Sequence, residues 1–299
     1  MNEARRTANP ERTCRASTIH ECVADARRRL RAAGVPSDEA DLDARLLAEH
    51  VLGWTTERFF ADAGAPTPPN FDSRFDALIA RRAAREPFAY IVGHQEFWGL
   101  RIEVTPDVLI PRPETELIVE AACAMLQEVP APSVADVGSG SGCLAVAIAL
   151  ERAASIVATD VSDAALTVAR RNAARLGVGG LIAFRRTDLL EAIDERFDLV
   201  VSNPPYVREG DRAGIQPEVR FEPAAALYAG IDGLDVIRRL VPQAASRLKP
   251  GGTLIFEFGF GQADAVSELI SSAAGLRMIG LRRDLQDIPR VAIAVRGHR

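Results

Sequence analysis

Apolar positions recur at helical spacing through the first part of the chain. Ile19, Cys22, Val23, Ala26 and Leu30 fall on one helical face, with Thr18-x-x-Glu21 ahead of them in the form of a capping box and Gly34 and Pro36 behind them as a stop. A second stripe, Leu42, Leu46, Leu47 and Val51, is predicted to start from a Ser37 cap and to end at Gly53. Phe71, Phe75, Leu78 and Ile79 make a third, which runs to Arg81 and Arg82. Residues 1–16 read as a polar tail, and residues 17–88 are predicted to form a small helical domain.

The texture then changes. Short strand-like runs at 96–104 and 108–110 predict a β-hairpin linker over residues 89–112. From Ser133 onward strand-like runs alternate with helical patterns. The strands are expected at 134–137, 155–159, 182–184, 197–202 and 253–258, and the helices at 143–152, 163–176, 234–248 and 263–273. Such alternation predicts an α/β fold with a mostly parallel, doubly wound sheet over residues 113–299. The last two runs, 276–283 and 290–295, have no helix between them and are expected to close the sheet as an antiparallel hairpin.

Composition narrows the function classes. A chain of 299 residues with 47% apolar and 26% charged residues is globular, with room for about two domains. Its net charge of −5 argues against a main task of coating nucleic acid, because that affinity comes from Lys and Arg neutralising phosphates. The longest apolar run in the predicted core, 144–150, is far short of the ~20 residues that span a bilayer. Arg5, Arg6, Arg12 and Arg15 are followed by no apolar segment of the secretory kind. Cys14, Cys22, Cys123 and Cys143 form no CxxC pair, which suggests neither a metal site nor a disulfide framework. A cytoplasmic location is expected. Lys249 is the only lysine, so the positive charge is otherwise arginine.

The candidate chemistry sits in two places. The first is Val134-Ala135-Asp136-Val137-Gly138-Ser139-Gly140-Ser141-Gly142, an apolar strand feeding a glycine-rich turn that opens a helix. Glycines let a ligand approach the backbone closely, and a helix N-terminus offers unpaired N–H groups. Asp160 ends the next strand, where a carboxylate can accept hydrogen bonds from two ribose hydroxyls. Asp188 follows the third strand, at the level of an adenine amino group. The dinucleotide pattern G-x-G-x-x-G/A fails because Cys143 stands where Gly or Ala is required. The pattern led by Asp136 resembles instead the first motif of class I S-adenosylmethionine-dependent methyltransferases.

The second place is Asn203-Pro204-Pro205-Tyr206, directly after the predicted strand at 197–202. An amide or aromatic amino nitrogen is a poor nucleophile because its lone pair is delocalised. The Asn203 side-chain oxygen and the Pro204 carbonyl can accept its two N–H bonds and so orient it. Pro204 and Pro205 fix the turn, and Tyr206 offers a flat face to a planar group. No general base is required, since alignment in a dry pocket supplies much of the catalysis. This motif alone admits a glutamine amide in a protein or the exocyclic amine of a flipped adenine or cytosine.

The flanking residues resemble one family. Tyr90-Ile91-Val92-Gly93-His94-Gln95-Glu96-Phe97-Trp98-Gly99-Leu100, Val108-Leu109-Ile110-Pro111-Arg112-Pro113-Glu114-Thr115-Glu116 and Glu218-Val219-Arg220-Phe221-Glu222-Pro223 are similar to segments of the release-factor glutamine methyltransferases, the PrmC/HemK family. The resemblance runs from about residue 38 to 296. It implies a Rossmann-like class I methyltransferase domain with a seven-stranded sheet, and an N-terminal helical domain that helps to dock the substrate. It implies N5-methylation of the glutamine in the Gly-Gly-Gln motif of class I peptide-chain release factors, with S-adenosyl-L-methionine as donor and S-adenosyl-L-homocysteine as product. On this reading Gly138, Ser139, Gly140, Ser141, Gly142, Asp160, Asp188, Leu189 and Asn203 hold the cofactor. Asn203, Pro204 and Tyr206 are the catalytic residues, and they bind the substrate together with Pro205 and Glu222. Neither a metal nor a direct nucleic-acid or membrane partner is expected, and the chain is expected to act as a monomer.

Leu189 departs from the family where an aromatic often flanks the adenine, and residues 286–289 replace a glycine-containing turn. Residues 207–230, long and without periodicity, are expected to cover the substrate. Arg112 and Glu114, in a proline-bracketed turn, are expected either beside the cofactor turn or in a structural ion pair, and Phe97 and Trp98 in the hairpin core. The rival is an adenine-N6-type nucleic-acid methyltransferase, which shares Asn-Pro-Pro-Tyr and should carry a basic target-reading region. Residues 1–32 hold eight Arg against four Asp or Glu, which a solvated helix face also explains.

Overall fold

A computed structural model describes residues 17–298, and the 1–16 tail lies outside the described residues. The chain divides into two compact units, one ending at Val92 and one beginning at Gly93.

The first unit is helical: α1 (Ile19–Ala32), α2 (Ser37–Leu52), α3 (Thr56–Asp62), α4 (Phe71–Ala83) and α5 (Phe88–Val92). The capping box at the start of α1 is formed. Thr18 Oγ1 accepts from the Glu21 amide at 3.2 Å, and Glu21 Oε2 accepts from the Thr18 amide at 2.9 Å. Ile19, Val23, Ala26 and Leu30 are buried, as their spacing predicts.

Two expectations need correcting here. Ser37 does not cap α2 but is its first helical residue, after Pro36, and no side chain caps that end. Leu42 is 47% exposed, because the buried stripe of α2 is Ala40, Ala44, Leu47, Ala48 and Val51. In α4, Phe71 and Phe75 stack at 5.1 Å between centroids. Arg82, at the end of the third stripe, is buried, and its Nε donates to Asp43 Oδ2 at 2.6 Å. Ile91 and Val92 pack into this helical core, so the first unit extends through α5.

The second unit opens with the hairpin β1 (His94–Phe97) and β2 (Leu100–Glu103). The predicted run at 96–104 is therefore two strands with a turn inside it. Trp98 and Gly99 both take positive φ, 54° and 67°, the two-residue turn that matches strand twist. Phe97 is buried as expected, whereas Trp98 is partly exposed and its indole donates to Glu151 Oε1 at 2.8 Å. Residues 108–110 are irregular, after a turn at 106–107, with Val108 and Ile110 buried, and do not form a strand.

Then follow α6 (Glu116–Met125), β3 (Ser133–Val137), α7 (Cys143–Arg152), β4 (Ser155–Asp160), α8 (Asp163–Arg175), β5 (Ile182–Arg186), β6 (Phe197–Ser202), α9 (Asp235–Arg247), β7 (Leu248–Glu257), α10 (Ala263–Ser272), β8 (Leu276–Arg283) and β9 (Pro289–Arg296). The sheet is seven-stranded in the order β5-β4-β3-β6-β7-β9-β8. Strands β5 to β7 pair in parallel, and β9 enters antiparallel between β7 and β8. This is the mostly parallel α/β sheet with a terminal hairpin that the alternation predicts. In the β8–β9 turn Asp287 takes the left-handed conformation, φ 63°, that glycine would adopt more readily. Helix connections cover both faces, so the inner strands are nearly all apolar and Asp136 in β3 is an exception to be explained. Strand order reverses between β4 and β6 on either side of β3. Ligands bind outside the carboxyl ends of strands at such a switch point.

Candidate active site

A cavity of about 440 Å³ opens at that switch point, within the size range of small-molecule sites. It brings together Gly138, Ser139, Gly140 and Ser141 from the turn after β3, Asp160 from β4, Asp188 and Leu189 after β5, and Asn203 and Pro205 after β6. Val108, Leu109, Pro111 and Thr115 add a wall that the sequence reading did not assign, and Ala225 and Ala226 bring the 207–230 segment to its rim.

The glycine turn has a local cause. Gly138, Gly140 and Gly142 have φ of 72°, 55° and 78°, a region that L side chains rarely adopt. A Cβ at Gly138 or Gly140 would meet no protein atom within 4 Å, so these two keep space clear. A Cβ at Gly142 would lie 2.9 Å from Ala169 Cβ, so this glycine lets α7 and α8 approach. Asp136 sits beneath the turn. It is fully buried, and its Oδ2 accepts from Ser139 Oγ at 2.8 Å and from the Ala145 amide at 3.2 Å. Its Oδ1 has no partner, and burial pushes its pKa up to about 7.

Asp160 Oδ2 accepts from the Gly140 amide and Oδ1 from the Ser162 amide, both at 2.9 Å. A carboxylate has about four acceptor positions, so two remain for a ligand. Burial raises its pKa, and the backbone donors oppose that rise. Asp188 is bound to Arg239 at 2.6 Å, which fixes the carboxylate at the rim. Leu189, at φ 49°, is buried against the cavity.

The catalytic turn is held from several sides. Ser202 Oγ donates to the Val137 carbonyl at 2.7 Å, tying the end of β6 to β3. Asn203 Nδ2 donates to Thr115 Oγ1 at 3.0 Å, and Thr115 Oγ1 donates to Glu257 Oε2 at 2.7 Å. Tyr206 donates its hydroxyl proton to Glu257 Oε1 at 2.7 Å. Gln262 Nε2 donates to the carbonyls of Tyr206 at 3.1 Å and Asp232 at 3.0 Å. Gly233 is required behind the turn, because a Cβ there would lie 2.2 Å from the Tyr206 carbonyl.

Three expectations about this wall are altered by the geometry. Tyr206 and Pro204 do not line the cavity; Pro204 is buried, and the Tyr206 hydroxyl is engaged by Glu257. Burial together with the Glu257 charge raises the Tyr206 pKa well above that of a free phenol, so it stays a donor. Glu222 does not offer its carboxylate to the cavity. The group is buried, accepts from the Ile110 amide at 3.0 Å and is paired with Arg112. It fastens the 207–230 segment to residues 108–112, so Arg112 is in an ion pair, with Glu222 as its partner and not Glu114.

Thr115 and Glu257 went unassigned in the sequence reading. Glu257 did leave a signal, as a lone acid at the end of an apolar strand run, where a buried charge needs dedicated partners.

The sheet order, the glycine turn and the Asn-Pro-Pro-Tyr turn on one cavity define a class I methyltransferase. Among solved structures, a methyltransferase from Pyrococcus furiosus superposes with a TM-score of 0.50 at 19% identity, covering 75% of this chain and 99% of that one. The hMettl16 catalytic domain superposes with a TM-score of 0.54 at 16% identity, over 79% of this chain and 85% of that one. These likenesses concern the fold.

Sequence comparison is more specific. Residues 21–93 match the PrmC N-terminal domain family, and residues 115–222 match the methyltransferase small domain family. The release factor glutamine methyltransferase of Cereibacter sphaeroides is 46% identical over 268 residues, 89% of this chain and 94% of that protein. That of Burkholderia pseudomallei is 45% identical over 258 residues, 84% of this chain and 90% of that protein. This chain belongs to the release factor glutamine methyltransferase family.

Proposed function

We propose that the chain transfers the methyl group of S-adenosylmethionine to the side-chain amide nitrogen, N5, of the glutamine in the Gly-Gly-Gln motif of class I peptide-chain release factors. The observation that carries this reading is the Asn203 carboxamide. Its nitrogen is engaged by Thr115, while its oxygen has no donor among the described residues and the side chain lines the cavity. An open carbonyl oxygen on a rigid turn is what a primary amide needs to be held by N–H donation.

The residues present fit the cofactor. Gly138 and Gly140 leave clear a space that any side chain would fill, and Asp160 retains two acceptor positions for a ribose. When bound, S-adenosylmethionine supplies a methyl group on a sulfonium centre. Gly138 to Gly142 would cradle it with the open backbone surface that their missing side chains leave, Asp160 would hold the ribose, and Asp188 and Leu189 would border the adenine. Asn203 Oδ1 would accept an N–H of the substrate amide, which aligns the nitrogen and disperses the positive charge that develops as it attacks. Pro205 would pack against the substrate, Tyr206 would stiffen the turn from behind through Glu257, and Glu222 would hold the covering segment closed.

Family membership over most of the chain, with the helical N-terminal domain included, supports a release factor as the substrate. The test is transfer of labelled methyl from S-adenosylmethionine to a purified class I release factor and to its Gly-Gly-Ala variant. Label on the first and none on the second is expected; equal label on both would reject the glutamine as acceptor.

A further inference from the structure

We propose that Thr115 and Glu257 are positioning residues that dictate which way the Asn203 carboxamide faces. The inference rests on the methyl-transfer reading above and deepens it. An asparagine amide can turn over, exchanging its oxygen for its NH₂ group with almost no change of shape. In one orientation Asn203 presents an acceptor to the cavity, and in the other it presents two donors. Only the first can receive an N–H from a glutamine amide.

The hydrogen-bond network fixes the choice. Glu257 is fully enclosed at the end of β7, and each of its carboxylate oxygens already has a donor, Tyr206 on Oε1 and Thr115 on Oε2. Burial raises the Glu257 pKa, and the two hydroxyl donors oppose that rise by favouring the carboxylate, which can only accept, so the single hydroxyl proton of Thr115 is committed to it. Thr115 Oγ1 is then left with lone pairs alone and must receive a proton from its other neighbour. That neighbour is Asn203, 3.0 Å away, and only its NH₂ group can donate. The carboxamide oxygen is therefore turned away from Thr115. Proton count, and not shape, sets the polarity of the catalytic amide.

The relay reaches far along the chain. Thr115 lies 88 residues before Asn203 and 142 before Glu257. Three segments that are distant in sequence each supply one member of it. Other buried polar contacts of the unit, such as Ser202 on Val137, tie backbone together and have no such directional output.

The test is a double-mutant cycle read in kcat at saturating cofactor and release factor, with cofactor Kd measured by calorimetry. Thr115→Val keeps the shape and removes the acceptor. It is expected to lower kcat about 10- to 100-fold, the scale of a misplaced reacting group, with cofactor Kd changed by less than about threefold. Thr115→Ser keeps the hydroxyl and is expected to restore most of that loss. In the Asn203→Ala background Thr115→Val should lower kcat less than about twofold, because the relay acts only through Asn203. An equal fold loss in both backgrounds would assign Thr115 a merely structural role and overturn the proposal, as would wild-type kcat for Thr115→Val.

Glu257→Gln, which exchanges one acceptor oxygen for a donor, carries the same cycle if the valine variant does not fold, and a several-fold loss confined to the Asn203 background is expected. A wild-type chain that binds the cofactor and labels no release factor would bring down the methyl-transfer reading, and the relay with it. That failure is visible before any variant is made.

Discussion

On one wall of the cavity the geometry comes from a single short segment. Gly138, Gly140 and Gly142 set the turn by their own positive φ, and Asp160, only 20 residues beyond Gly140, is joined to it by a backbone amide. On the other wall Asn203 owes its orientation to Thr115, 88 residues earlier, and through it to Glu257. The first wall is backbone chemistry and is written in contiguous sequence. The second is side-chain chemistry assembled by the fold. The difference suggests a division of labour, in which the glycine wall decides whether cofactor binds and the asparagine wall decides whether a bound substrate reacts.

Substitutions can break that division. The largest effect is expected at Asn203→Ala, which should lower kcat about 10²- to 10³-fold, on the scale of losing one hydrogen-bonding group aimed at developing charge. Its cofactor Kd, measured by calorimetry, should stay close to that of the native chain, and a matching loss in Kd would merge the two walls into one. Next is Gly142→Ala, where left-handed backbone strain adds to overlap with Ala169, for a stability loss of about 2–4 kcal/mol in thermal unfolding. Gly138→Ala meets no atom and should cost only about 1–2 kcal/mol in stability while weakening cofactor binding.

Asp160→Ala is expected to weaken cofactor binding by about 1.5–3 kcal/mol, the range for hydrogen bonds to a charged group. The smallest effect concerns pH. Asp136 has its folded-state pKa raised to about 7, so between the ordinary carboxylate range and that value the folded chain holds more protons than the unfolded one. Its contribution to stability is therefore present at low pH and lost as pH rises through about 7. Urea denaturation across that window should show a shallower decline for Asp136→Asn than for the native residue.

The same distinction explains what could be read before the structure. The α1 cap, the strand–turn–helix around Gly138 to Gly142 and the terminal hairpin are set by neighbours in sequence, and each is where its pattern places it. Helices α3 and α5 escaped because one has seven residues and the other is the apolar run Phe-Ala-Tyr-Ile-Val, too short for helical periodicity to declare itself. The Arg82–Asp43 contact and the Thr115–Glu257 link were invisible because only packing brings such partners together. Glu222 was expected at the substrate for its place in the covering segment, and the structure gives its carboxylate to Ile110 and Arg112 instead.

The identity of the methyl acceptor remains the central point, and competition addresses it most directly. A class I release factor and an adenine-rich DNA are offered together with S-adenosylmethionine, and the products are mapped by tandem mass spectrometry. Methyl on the Gly-Gly-Gln glutamine side chain, with none in the DNA, is the expected result. Methyladenine in the DNA, with an unmodified glutamine, would contradict the proposed function.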